Sequence, residues 1–129
     1  VAIHRDGATL DLAGVYDATA PDPWEPDPDK ALSGRDEGRV LIYLAHQPLQ
    51  ADDVQGRGVD LQLSGHTHGG QLWPFGYAVS VAQPVVTGLK NVGDVPVYVS
   101  RGAGAWGPPV RVMAPPEITM ITLRRTSTS

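Results

Sequence analysis

Two stretches decide the fold: Val40-Leu41-Ile42-Tyr43-Leu44-Ala45, followed by His46-Gln47-Pro48, and Val59-Asp60-Leu61-Gln62-Leu63-Ser64, running into Gly65-His66-Thr67-His68-Gly69-Gly70-Gln71. Both open with runs of strand length rather than helix length. The first is apolar throughout, which predicts a strand buried on both faces. Residues 50–57 between them are predicted to form a two-turn helix. Asp52 and Asp53 sit at its N-terminal end, where they complement the dipole, and Gly58 stops it. Strand, short helix, strand is the rhythm of an α/β protein. If the two strands are parallel neighbours, His46 and His66 leave the same C-terminal edge, where open α/β sheets bind ligands.

Working outward, residues 1–4 and 9–15 flank Arg5-Asp6-Gly7-Ala8, and Asp-Gly there signals a hairpin. Residues 17–37 hold Pro21, Pro23, Pro26 and Pro28 and 7 of the chain's 14 carboxylates. An acidic, proline-rich surface loop is predicted, extended over 17–28, with a short helix at 29–33 stopped by Gly34. Downstream, 85–87 and 95–100 read as strands, Pro96 marking an edge or a strand start. Residues 101–116 are too rich in glycine and proline for regular structure. A last strand is predicted at 117–123 and a frayed tail at 124–129.

The 129 residues make room for one domain, 1–129. Hydrophobic residues at 41% and charged residues at 19% exclude wholesale disorder. No apolar run approaches the ~18 residues of a membrane span, so a soluble chain is expected. Without cysteine, disulfides, iron–sulfur clusters and thiolate chemistry are excluded. A net charge of −4 argues against nucleic-acid-specific binding. The charge is uneven: 5 basic and 12 acidic side chains in 1–60, against 5 and 2 in 61–129. An anionic ligand is therefore compatible with the second half. The chain begins at Val1 in a strand-like run, which suggests a piece of something longer.

On an extended segment, histidines at i and i+2 project to one side, as suits two imidazoles converging on a metal. Their flanking glycines permit an abrupt turn and close approach to a ligand. With His46 added, three histidines are expected to meet at one point, and His4, beside the hairpin turn, is left as a surface residue. One outcome of such a set is a mononuclear zinc site of His46, His66 and His68 with water in the fourth position.

Gly65-His66-Thr67-His68-Gly69-Gly70-Gln71, with Leu44-Ala45-His46-Gln47-Pro48 and Asp60-Leu61-Gln62-Leu63-Ser64 before it, resembles the C-terminal half of a calcineurin-like metallophosphoesterase. It is most similar to the bacterial subgroup, whose members are often membrane-anchored. Leu12-Ala13-Gly14-Val15-Tyr16-Asp17, Val99-Ser100-Arg101-Gly102 and Pro115-Pro116-Glu117-Ile118-Thr119 extend the resemblance over roughly Ile3 to Leu123. It implies part of a four-layer α/β/β/α sandwich carrying two divalent ions (manganese, iron or zinc). Carried over, His46 and His66 share the second ion and His68 belongs to the first. In that family the ions clamp a phosphate ester and lower the pKa of a bridging water, making it the nucleophile. The substrate is then a phosphoester, and the activity that of a phosphatase or phosphodiesterase. Arg101, Arg111, Gly69 and Gly70 are the candidate substrate contacts. Asp17 matches an acidic position and is read as structural. Trp73, Phe75, Tyr77 and Trp106 are read as loop anchors, with an aromatic substrate rim as the alternative.

The family's other ligands, in Asp-x-His, Gly-Asp-x-x-Asp and Gly-Asn-His-Asp/Glu, have no counterpart here. The only asparagine, Asn91, precedes Val92, and Gly93-Asp94 lacks the second aspartate. The chain is therefore expected to be the second half of the catalytic domain, with the N-terminal half as its missing partner. Two dications about 3.5–4 Å apart repel, and neutral histidines do nothing to offset that. Alone, the chain is expected to bind no ion or one ion weakly and to be inactive. Half a sandwich also leaves open strand edges, which predicts self-association. The non-enzymatic alternative is an interaction domain that pairs with a separate N-terminal half.

Overall fold

Asp6 and Gly7, at φ of 49° and 73°, turn β1 (Ala2–Arg5) back onto β2 (Ala8–Gly14) as the antiparallel hairpin that an Asp-Gly pair favours. The computed structural model describes residues 1–74 and 76–124. Phe75, and the expected tail beyond Arg124, lie outside the described residues. β3 (Val40–Leu44) and β4 (Leu61–Ser64) form within the two decisive runs, and β5 (Gly88–Val92) and β6 (Val95–Val99) follow. The strands make one six-stranded sheet in the order β1-β2-β3-β4-β6-β5. Its middle, β2-β3-β4-β6, is parallel, and an antiparallel hairpin closes each flank. This mixed sheet with few helices fits the α/β class. Gly14 and Leu63 both pair with Leu44, and Ser64 pairs with Val99, so four parallel strands end at one edge.

One face of the sheet is closed. Leu41, Tyr43, Val97 and Val99 have 0% exposure there, packed with Ala51, Val54, Val59 and Val85. Burying a side chain of this size contributes roughly 1.5–3 kcal/mol. The strand register puts Leu12, Ile42, Leu44, Leu61, Leu63 and Tyr98 on the other face. That face is only partly covered: Leu44 and Val40 are 40% and 47% exposed. β3 is thus closed on one side rather than both, because the covering segments pack on the Tyr43 side.

The connections depart from the expectations in informative ways. α1 (Pro28–Leu32) starts where Asp27 accepts a hydrogen bond from Lys30 N at 2.8 Å, and Gly34 follows at φ 70°. Between β3 and β4 the expected helix at 50–57 is instead a 3₁₀ helix, Pro48–Val54. The Gln47/Gln50 capping box and Pro48 move its start forward, and extended Gln55 and left-handed Gly56 end it. Asp52 and Asp53 therefore lie past its first turn, not at the N-terminal end. α2 (Gly76–Ala82) occupies a region read as loops. Among the described residues no helix is long and apolar enough to cross a membrane.

Two expected strands do not form. Residues 85–87 join no ladder; Val85 turns into the core and pairing starts at Gly88. Residues 117–123 also join none; they lie beside the sheet, where the Tyr98 hydroxyl meets Thr119 Oγ1 at 2.8 Å. Pro96 lies at the start of β6, on an interior strand: the ladder to β4 begins only at Val97.

Candidate metal centre

Three loops leave adjacent parallel strands side by side, bringing Asp17 after β2, His46 after β3 and His66 after β4. One carboxylate oxygen and one nitrogen from each ring lie within 4.8 Å of one another. The two rings meet edge to face, centroids 5.1 Å apart and planes at 79°. Main-chain bonds hold them there. Gly65 N donates to His46 O at 3.0 Å and Ala45 N to Leu63 O at 3.2 Å, carrying the β3–β4 pairing past the strand ends. An open concavity of about 330 Å³, lined in part by Val15, His46, Ser64 and Gly65, lies at this edge.

The loop after β4 is not extended. His66, His68, Gly69, Gly70 and Gln71 all have positive φ, between 48° and 80°. For the non-glycine residues that conformation costs on the order of 1–2 kcal/mol each and persists only where packing enforces it. Buried Thr67 is part of that enforcement, donating from its hydroxyl to Val86 O at 2.6 Å. Gly70 is another: a Cβ there would sit 2.4 Å from the Gly76 Cα at the start of α2. With the strand alternation lost, His68 begins a 3₁₀ turn, His68–Gly70, and stands outside the group of Asp17, His46 and His66. Its Nδ1 lies 3.3 Å from Arg111 Nη2 instead. The three histidines therefore do not converge on one point; His46 and His66 do, joined by Asp17.

Asp17, read from the sequence as structural, stands in this group with His46 and His66. Its signal was the Gly14-Val15-Tyr16-Asp17 match, hidden in an acid-rich loop. Oδ1 accepts from Thr19 N at 2.8 Å, Thr19 Oγ1 at 2.5 Å and Gln47 Nε2 at 3.1 Å, and Oδ2 accepts from Gln47 Nε2 at 3.2 Å. Burial raises the carboxyl pKa, but the Thr19 and Gln47 donors and nearby His46 outweigh it and hold Asp17 below the ordinary value. Burial, followed by the charge of His46, pushes His66 below its ordinary value, against the pull of Asp17. A carboxylate and a neutral imidazole are the forms that bind metal. Two nitrogens and one oxygen form a donor set suited to a first-row divalent ion, so these residues fit one such ion.

The two arginines serve the loops. Arg111 donates to the carbonyls of Gly104 (2.9 Å), Ala114 (3.1 Å), Arg101 (2.8 Å), Gly102 (3.1 Å) and His68 (3.3 Å). Arg101 Nε bonds Thr87 Oγ1 at 3.2 Å and lies 3.8 Å from Glu117 Oε2, with its stem against Gly69. Among the described residues its two Nη groups have no hydrogen-bond partner. The Arg101 amide, donating at 3.0 Å, is the main cause of the lowered pKa of Glu117. Trp73, Tyr77 and Trp106 are exposed at 63%, 73% and 76% around these loops.

The chain is 46% identical over 125 residues to an uncharacterized metallophosphoesterase of Helicobacter pylori, a match covering 94% of this chain and 33% of the relative. It is 36% identical over 127 residues to the uncharacterized metallophosphoesterase YkuE of Bacillus subtilis, covering 95% and 43%. A transmembrane protein with metallophosphoesterase domain from Danio rerio is 40% identical over 102 residues, covering 77% and 23%. The chain thus spans less than half the length of these curated relatives. No family model and no solved structure matches it. With Asp17, His46 and His66 grouped at one sheet edge and this similarity along nearly all of its length, the chain belongs to the metallophosphoesterase family.

Proposed function

We propose that this chain supplies the histidine side of a metal-dependent phosphoester hydrolase, with the grouping of Asp17, His46 and His66 at the C-terminal sheet edge as the observation that carries the reading. His46 and His66 hold one divalent ion, manganese, iron or zinc, and His68 serves a second ion whose other ligands come from outside this chain. When bound, the metals supply Lewis acidity and a water acidic enough to act as nucleophile near neutral pH. The chain's own residues bind and orient. Arg101, with unpartnered Nη groups, is the better phosphate contact, and Arg111 keeps the loop around it in shape. Gly69 and Gly70 let the turn pack closely, Gly69 against the Arg101 stem and Gly70 against Gly76, and so place Arg101 beside it.

The half-covered face with Leu44, Leu63 and Tyr98 is where the second sheet of a four-layer sandwich packs. An N-terminal half of the domain supplies it, together with the bridging carboxylate. Without those groups the chain binds one ion and has no significant phosphatase or phosphodiesterase turnover. The test is binding of inorganic phosphate to the chain with and without Mn²⁺. Phosphate retained only with Mn²⁺, and lost in His46→Ala and His66→Ala, supports the reading. Phosphate binding that ignores Mn²⁺ overturns it. Turnover of p-nitrophenyl phosphate at the rate of an intact family member overturns the predicted inactivity.

A further inference from the structure

We infer that Asp17 is a ligand in its own right, completing with His46 and His66 a three-donor site for one first-row divalent cation inside this chain. The inference rests on the metal-dependent reading above and adds a carboxylate that the histidine motifs do not contain.

The first ground is reach. The donor atoms lie within 4.8 Å of one another. Donors about 2.1 Å from a shared tetrahedral ion stand about 3.4 Å apart, so side-chain rotations on the order of 1 Å close the site. Both histidines are exposed and free to make them. The second ground is unused capacity. Oδ1 already accepts three hydrogen bonds, whereas among the described residues Oδ2 accepts only one, from Gln47 at 3.2 Å. An ionised carboxylate has about four acceptor positions, so Oδ2 keeps one for a cation.

The third ground is how firmly the carboxylate is presented. A turn-forming aspartate needs only its local contact with Thr19. Here three buried glutamines from elsewhere are added. Gln47 Nε2 spans the carboxylate, Gln83 Nε2 donates to Gln47 Oε1 at 3.1 Å, and Gln50 Oε1 accepts from Gln47 N at 3.0 Å. Gln50 Nε2 also holds Tyr16 O at 2.9 Å, one residue before Asp17. Gln47 is thus the positioning residue, and it directly follows His46, so one loop carries a ligand and orients another. The carboxylate also supplies the negative charge that two neutral imidazoles lack, which makes retention of a dication by this chain alone reasonable.

The experiment titrates Co²⁺ into the 129-residue chain, read by calorimetry and by the cobalt d–d absorption. One Co²⁺ per chain is expected, with no binding by His46→Ala or His66→Ala. Asp17→Asn should weaken binding at least ~10-fold and alter the d–d band, while Asp17→Glu, which restores a carboxylate, recovers part of the affinity. Asp29→Asn, which removes a carboxylate paired with Arg57 instead, should bind as wild type. A urea midpoint for Asp17→Asn close to wild type excludes unfolding as the cause. Asp17→Asn binding like wild type while His46→Ala does not overturns Asp17 as a ligand and leaves the histidine reading standing. Failure of the wild-type chain to bind Co²⁺ overturns both.

Discussion

The side-chain amide of Gln47 spans the carboxylate of Asp17, donating to Oδ1 at 3.1 Å and to Oδ2 at 3.2 Å. Through this contact, and through Gln83, the loop after β2, the loop after β3 and the segment after α2 become one polar cluster next to His46 and His66. Gln47 is 5% exposed, so its partners cannot turn to water without rearrangement.

Replacing Gln47 with leucine keeps the volume and removes the hydrogen bonds. Asp17 and Gln83 then lose a partner in partly or fully buried positions, at about 1–3 kcal/mol per orphaned group. Gln47→Leu should therefore lose ~2–4 kcal/mol in urea unfolding. A loss under ~0.5 kcal/mol would mean the cluster does not stabilise the fold.

Gly70 is required twice over, by φ of 80° and by the Gly76 backbone, 2.4 Å from where its Cβ would be. Gly107 provides the comparison: it has φ of 64°, but nothing within 4 Å of a Cβ. Gly107→Ala should cost only the left-handed penalty, about 1 kcal/mol. Gly70→Ala should cost ~2 kcal/mol or more and shift the amide resonances of α2. Equal costs would show that the close approach to α2 carries no energy.

Arg111 is a half-buried cation whose partners are backbone carbonyls and one imidazole, with no ion pair to a carboxylate within the described residues. A lysine ammonium cannot reproduce a planar fork reaching carbonyls on so many sides. Arg111→Lys and Arg111→Met should both make 101–114 markedly more sensitive to limited proteolysis. A lysine variant as resistant as wild type would show that charge alone holds the loop.

Burial pushes the Tyr43 phenol up to about 12, and its hydroxyl has no hydrogen-bond partner among the described residues. The folded chain favours the neutral form, so this group's contribution is fully present below about pH 10 and is lost as pH rises through 10 toward about 12. Tyr43→Phe should be within ~1 kcal/mol of wild type at neutral pH, since it deletes an unpaired hydroxyl and leaves no cavity. Its urea midpoint should then fall less than that of wild type between pH 8 and pH 11. Parallel declines would assign the alkaline loss to other groups.

How much of this was legible in the sequence depended on how local each feature is. The Asp6-Gly7 hairpin, β3, β4 and the meeting of His46 with His66 follow from short patterns and one crossover. His68 was misplaced because Gly69 and Gly70 announce a turn after it, while nothing announces that His66 and His68 are themselves left-handed. The alternation of 117–123 is a true strand pattern, but alternation does not supply a partner strand, and this segment pairs with none of the six. α2 was unreadable because Gly76 opens it and it buries no side chain. Asp17 reads as structural from its local match; its meeting with Gln47, thirty positions away, and with His46 and His66 is a tertiary relationship that no local pattern carries.

Successive hydrogen-bonded strands stand about 4.8 Å apart, and Asp17, His46 and His66 each lie two or three residues past the end of three successive strands. The backbone ladder therefore acts as a ruler for this group of three. Exchanging one of the side chains changes its chemistry, whereas its width is inherited from the spacing of the sheet.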